Sequence, residues 1–143
     1  MGASGMTKSP DTFFGRTAED WDVLTEAGLG FLVERAKLRR TTTYTELNSV
    51  LVQRTGLPPF DFESEAGRAA MGELLRRIVT SAAETYPGFE KLMISCLVIY
   101  LNGNDAGSGF YALAQDKDLL RRGDDRTTFW VGQVKGVYDY FAH

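Results

Sequence analysis

Apolar residues recur near helical spacing at Trp21, Leu24, Phe31 and Leu32, and Thr17-x-x-Asp20 stands ahead of them as a capping pair. The pattern predicts a first helix that ends in the basic cluster Arg35, Lys37, Arg39 and Arg40, where cations suit the helix macrodipole. Gly28 and Gly30 interrupt it and predict a bend or close packing. Thr43-Tyr44-Thr45-Glu46 is a capping box for a second helix with Leu47, Val50 and Leu51 inside; Gly56 and Pro58-Pro59 stop it. A loop carrying Phe60 and Phe62 follows. A third helix is predicted from about Glu65 to Tyr86, with Ala70, Met71, Leu74, Leu75, Ile78, Val79 and Ala82 on one face and Pro87-Gly88 as its stop. Leu92 to Leu101 is apolar on both alternating faces, the pattern of a largely buried strand. Asn102 to Gly109 has the composition of a turn or exposed loop. A short helix is expected from Phe110 to Leu120. Asp124 or Asp125 caps a last one with Phe129, Trp130, Val134, Val137, Tyr138 and Phe141 on one side.

With 143 residues, 43% of them hydrophobic, the chain is sized for one domain with a real core. The expected architecture is α+β: a mostly helical domain over 17–143 with a short sheet, behind a flexible N-terminal arm over 1–16. Met1 to Gly5 read as residues added ahead of a natural start at Met6, and His143, the only histidine, reads as another addition. No signal-peptide pattern is present, and the longest apolar run is too short to span a bilayer. One cysteine, Cys96, excludes an intrachain disulfide and a thiolate metal cage, and fits a reducing cytoplasm.

The formal net charge of −3 argues against a strongly basic, non-specific nucleic-acid binder. The basic residues are nevertheless uneven. Arg35, Lys37, Arg39, Arg40, Arg54, Arg68, Arg76 and Arg77 all fall between the end of the first helix and the third. Glu46, Asp61, Glu63, Glu65 and Glu73 offset them in part. Helix, basic link, capped helix, loop, longer helix, strand and Gly-rich turn is an order that builds a helix-turn-helix with a wing, in which a helix enters the major groove and flanking cations hold phosphates. The alternative is an ordinary solvated helical surface.

Thr42-Thr43-Tyr44-Thr45-Glu46-Leu47 resembles the T-[TS]-Y-G-E-[LI] segment of alkylguanine-DNA alkyltransferases and alkyltransferase-like proteins. Arg68 to Leu75 resembles their R-A-V-G-x-A-L recognition helix with one residue extra, Ile94 to Val98 falls where they carry I-P-C-H-R-V, and Asn102-Gly103 with Gly107 to Phe110 echoes their wing and following G-G-Y. The similarity spans roughly residues 40 to 115 in the same order. The combination of T-Y-x-E-L from Thr43 to Leu47 with G-x-G-F from Gly107 to Phe110 also resembles uncharacterised bacterial and phage domains, some joined to nucleases. The resemblance implies a winged-helix DNA-binding domain acting in DNA repair or in defence against foreign DNA. It implies that Tyr44 presses on the target phosphate and that Arg68 fills the stack left by an extruded base. Residue by residue, Tyr44 can equally be packing at a helix start, and Arg68 can be an exposed first-turn arginine.

The departures bear on chemistry. Leu97 stands where the family has the histidine that activates the cysteine, and a thiol buried among apolar groups is inert. Alkyl transfer by Cys96 is therefore not expected. Gly107-x-Gly109 lacks the lysine of a phosphate-binding P-loop, and Asp116, Asp118, Asp124 and Asp125 are read as helix-end charges rather than a metal site. The resulting expectation is a non-catalytic nucleic-acid-binding module with no cofactor and no metal, meeting duplex DNA through Arg39, Arg40, Thr43, Tyr44, Arg68, Arg76, Arg77, Asn102 and Asn104, with steep salt dependence. The rival is a protein-interaction adaptor whose same helical face meets an acidic protein surface. Neither reading calls for a membrane.

Overall fold

A computed structural model of the chain describes residues 12–100 and 106–142. The first elements are a pair of two-residue strands, β1 (Thr12–Phe13) and β2 (Arg16–Thr17), antiparallel across a turn at Phe14 and Gly15. Both turn residues have positive φ, 55° and 75°, the handedness that closes a two-residue hairpin. The part of the expected loose arm from Thr12 onward is therefore a hairpin docked on the core. The Trp21 indole N–H donates to the Phe13 carbonyl at 3.0 Å. The Arg16 guanidinium lies 4.2 Å from the Phe60 ring centre and donates to the Pro58 carbonyl at 2.8 Å.

Four of the five helices lie close to where the periodicity puts them, and their caps explain why. Helix α1 (Ala18–Lys37) starts at Thr17, whose hydroxyl accepts from the Asp20 N–H while the Asp20 carboxylate accepts from the Thr17 N–H. Gly28 sits against α3: a Cβ there would stand 2.5 Å from Ile78 Cδ1. Gly30 has open space instead, so the close packing belongs to Gly28 alone. Strand β3 (Thr42–Thr43) leads into α2 (Tyr44–Thr55), which Thr43 caps and Gly56 closes in the left-handed conformation. Only half of the expected capping box forms there. Thr43 accepts from the Glu46 N–H, but the Glu46 carboxylate accepts from Arg35 and the Thr42 hydroxyl.

Helix α3 (Glu65–Thr85) is capped by Ser64 and buries all seven residues of the predicted face. Gly67 in its first turn is required by a close approach, because a Cβ would fall 1.8 Å from the Asp61 carbonyl oxygen. Helix α4 (Ser108–Asp116) begins and ends earlier than the pattern implies, with Leu120 buried beyond its end. Helix α5 (Arg126–Tyr140) is capped by Asp125, which accepts from Thr127 and Thr128. Asp124 accepts from the Arg121 N–H in the preceding turn.

The predicted long strand over 92–101 is not formed. Ile94–Leu97 is a 3₁₀ turn, and only Val98–Ile99 (β4) is extended, paired parallel to β3 with Thr42 opposite Val98 and Thr43 opposite Ile99. Residues 93 to 98 are all buried, as the apolar run requires. Their backbone is satisfied partly within the turn, where the Cys96 N–H donates to the Met93 carbonyl at 3.0 Å, partly by the short pairing with β3, and partly by side chains of α5. The Gln133 amide accepts from Met93 N–H at 2.7 Å and donates to the Lys91 carbonyl at 3.0 Å, and the Trp130 indole donates to the Cys96 carbonyl at 2.9 Å. Leu101 lies outside the described residues. The molecule is thus a mostly helical α+β domain, with α1 packed against α2, α3 and the 3₁₀ turn, and α5 against the turn. No described helix is long and apolar enough to cross a membrane.

Candidate nucleic-acid interface

The start of α2 and the start of α3 meet around the loop that joins them. Asn48 on α2 pins that loop by accepting from the Phe60 N–H and donating to the Phe60 carbonyl, both at 2.9 Å. Phe60 is thereby turned into the core against Trp21, and Phe62, two residues on, reaches Tyr44 with ring centres 6.4 Å apart. Arg68, exposed on the first turn of α3, donates to the Phe62 carbonyl at 2.8 Å. Phe62 therefore joins Tyr44 and Arg68, the two residues assigned roles by the family resemblance: its ring serves one and its carbonyl the other.

On its other side Tyr44 meets the ends of the Gly-rich segment. Its ring lies 5.4 Å from that of Tyr100, and its hydroxyl donates to the Ala106 carbonyl at 2.9 Å. Gly107 (φ 90°) approaches the hydroxyl end of the Tyr100 ring so closely that a Cβ would be 2.6 Å from Cε2 and 2.8 Å from the hydroxyl oxygen. Close packing against the edge of the tyrosine accounts for this glycine without any phosphate. Thr43 at the head of α2 is engaged in capping.

The other arginines of the expected interface lie apart. Arg77, about two and a half turns beyond Arg68 and so on the opposite side of α3, lies 4.7 Å from the Trp21 ring. It shares the Glu73 carboxylate with Arg76. These hydrogen bonds, Arg76's first, hold the Glu73 carboxyl below its ordinary range. Both arginines border a shallow groove between α1 and α3 whose remaining walls include Asp22 and Glu84. Arg39 and Arg40 lie in the link after α1, where Arg39 reaches across to Asp139 on α5 at 3.1 Å. Asn102 and Asn104 lie outside the described residues.

Cys96 is fully buried in the 3₁₀ turn, and burial pushes its thiol far above the ordinary range. A thiolate nucleophile is not available there. Among the described residues no group of three or more His, Cys, Asp or Glu side chains could hold a metal ion.

Two residues of this neighbourhood escaped sequence reasoning as site candidates, Phe62 and Tyr100. Phe62 carried a usable signal: an aromatic in a Pro-containing loop, two residues after one turned inward. Tyr100 was hidden by its assignment to a buried strand, whereas it is 54% exposed. No family model, curated protein or solved structure matches the chain.

Proposed function

We propose that this chain is a non-catalytic DNA-binding module of winged-helix type, which meets its ligand with the first turn of α3 and the adjoining start of α2. One observation carries the reading: Tyr44 and Arg68, distant in sequence, converge on Phe62. The parallel pairing of β3 with β4, which ties the head of α2 to the segment ahead of the Gly-rich loop, supports it. Arg68 is the contacting cation in this reading, and Thr43 stands beside Tyr44 at the head of α2. Arg76 and Arg77 act at most through charge, since they project elsewhere on α3. Damaged, modified or foreign DNA is the expected ligand range, and repair or defence the expected setting.

The test compares Arg68→Ala with Arg76→Ala on duplex DNA by fluorescence anisotropy. Each substitution removes one positive charge, but Arg76 is paired with Glu73, so the difference that reports geometry is the one that persists when both are made in a Glu73→Gln background. Arg68→Ala is expected to weaken binding by about 1–3 kcal/mol, and Arg76→Ala by distinctly less. Equal losses on every sequence would reduce α3 to a generic charged surface. A second reading, a protein-interaction adaptor, is favoured by the carboxylate partners of Arg35, Arg39, Arg54, Arg76 and Arg77, which leave little unbalanced positive charge for phosphates. An absence of binding to any DNA at low salt would select it.

A further inference from the structure

We propose that Asn48 is a positioning residue for Arg68: it fixes the loop whose Phe62 carbonyl holds the guanidinium, and so keeps Arg68 from pairing with the carboxylates around it. This deepens the DNA-binding reading and rests on it. Asn48 gives both ends of its amide to one residue, Oδ1 accepting from the Phe60 N–H and Nδ2 donating to the Phe60 carbonyl. The buried Phe60 ring is anchored separately, by Trp21 and by the Arg16 guanidinium 4.2 Å from its centre. Apolar contact is non-directional, so it settles where the ring lies and not how the backbone leaves it. Two hydrogen bonds on one residue settle the second point, and Asp61 and Phe62 follow from there.

The chain beyond the clamp is packed to that direction. The Asp61 carbonyl accepts from the Ser64 hydroxyl and N–H, and lies so near the first turn of α3 that Gly67 has no room for a Cβ. Ser64 Oγ accepts from the Gly67 N–H, and the Ser64 carbonyl from the Arg68 N–H. The Phe62 carbonyl, two residues past the clamp, then accepts from Arg68 Nη1 at 2.8 Å.

A carbonyl is an unusual choice of partner here. Asp61, Glu63 and Glu65 are all exposed just ahead of Arg68, and Glu65 stands three positions before it on the same helix, a spacing at which helical ion pairs form. Further along α3, Arg76 and Arg77 take Glu73 at three and four positions. Arg68 makes no ion pair among the described residues, and the Asp61 carboxylate accepts from the Glu63 N–H instead. A neutral partner leaves the charge of Arg68 uncancelled, the form in which a guanidinium best meets a base edge or a phosphate. With carboxylates on either side, charge alone gathers little DNA at this point. The direction of the one cation is what remains, and Asn48 sets it.

The test is a double-mutant cycle in the full chain: wild type, Asn48→Ala, Arg68→Ala and the double variant, titrated by fluorescence anisotropy against a labelled duplex. Arg68→Ala is expected to lose affinity roughly five- to hundredfold. Asn48→Ala should lose most of that, and the double variant no more than Arg68→Ala alone. Losses that multiply in the double variant overturn the proposal and leave the DNA-binding reading standing. Thermal melts check the fold. Where Asn48→Ala does not keep it, Asn48→Asp, which retains size and the acceptor for the Phe60 N–H but not the donor, takes its place in the cycle. Relaxation of the ¹⁵N-labelled Arg68 Nε–H supplies a readout without DNA, expected to be ordered in the wild type and mobile once Asn48 is replaced. Absence of duplex binding by the wild type removes the DNA-binding reading alone, whereas Arg68 order that is indifferent to Asn48 overturns the positioning role.

Discussion

Tyr44 has one hydroxyl proton, and in this fold the Ala106 carbonyl accepts it at 2.9 Å. A phosphate oxygen accepts but cannot donate, so it would have to take the same proton. The family resemblance gives Tyr44 a phosphate to press on; the observed bond gives it the far end of the Gly-rich segment to hold. These roles compete for one atom and separate cleanly on mutation. Tyr44→Phe keeps the ring against Phe62 and Tyr100 and loses only the hydroxyl. It is expected to lower stability by about 0.5–1.5 kcal/mol in urea denaturation, the net worth of such a bond, and to leave duplex affinity within about twofold. A tenfold loss of affinity at unchanged stability would mean that the hydroxyl leaves Ala106 for the ligand.

At the scale of elements, local chemistry made the helices legible. Thr17, Thr43, Ser64 and Asp125 each place a side-chain oxygen on the first free N–H groups, and Gly56 ends α2 in a conformation that other residues resist. The segment from Leu92 to Tyr100 was not legible, because its conformation is imposed from a distance. An apolar run predicts burial, and burial was correct through Val98. A ladder is only one way to satisfy buried backbone, and here Gln133 and Trp130 of α5 supply partners beside the turn's own hydrogen bonds. No periodicity within 92–101 encodes an amide more than thirty residues away. Gln133→Leu tests this account. It keeps approximate size and leaves the buried Met93 N–H without its acceptor, so a loss of about 1–3 kcal/mol is expected in urea denaturation with an unchanged slope. A neutral outcome would mean that packing alone shapes the turn. The candidate site was legible in the same uneven way. Tyr44 and Arg68 stood out by motif, whereas their convergence depends on the Asn48 clamp, and Tyr100 on the end of a strand that does not form.

For the whole molecule, the decisive feature is how its charge is paired. Read along the chain, the arginines from Arg35 to Arg77 form a basic half and predict binding that collapses with salt. In the fold, Arg35 faces Glu46, Arg39 faces Asp139, Arg54 faces Glu34, and Arg76 and Arg77 share Glu73. Such exposed pairs are individually weak, so a phosphate can displace a carboxylate. The displaced carboxylate then gathers a cation of its own. Net counterion release per contact falls towards zero, and with it the salt dependence. Arg40 and Arg68 make no ion pair among the described residues and are the arginines whose binding should release ions in full. One or two such contacts correspond to a slope of about −1 to −2 in log affinity against log salt for duplex DNA. Anisotropy titrations from 50 to 200 mM NaCl, roughly the span over which phosphate-tracking proteins lose thousandfold affinity, measure it directly. A slope of about −5 or steeper would mean that the ion pairs open together on DNA and that the α1–α3 groove belongs to the interface. A shallow slope that Glu73→Gln steepens would show that pairing holds Arg76 and Arg77 back.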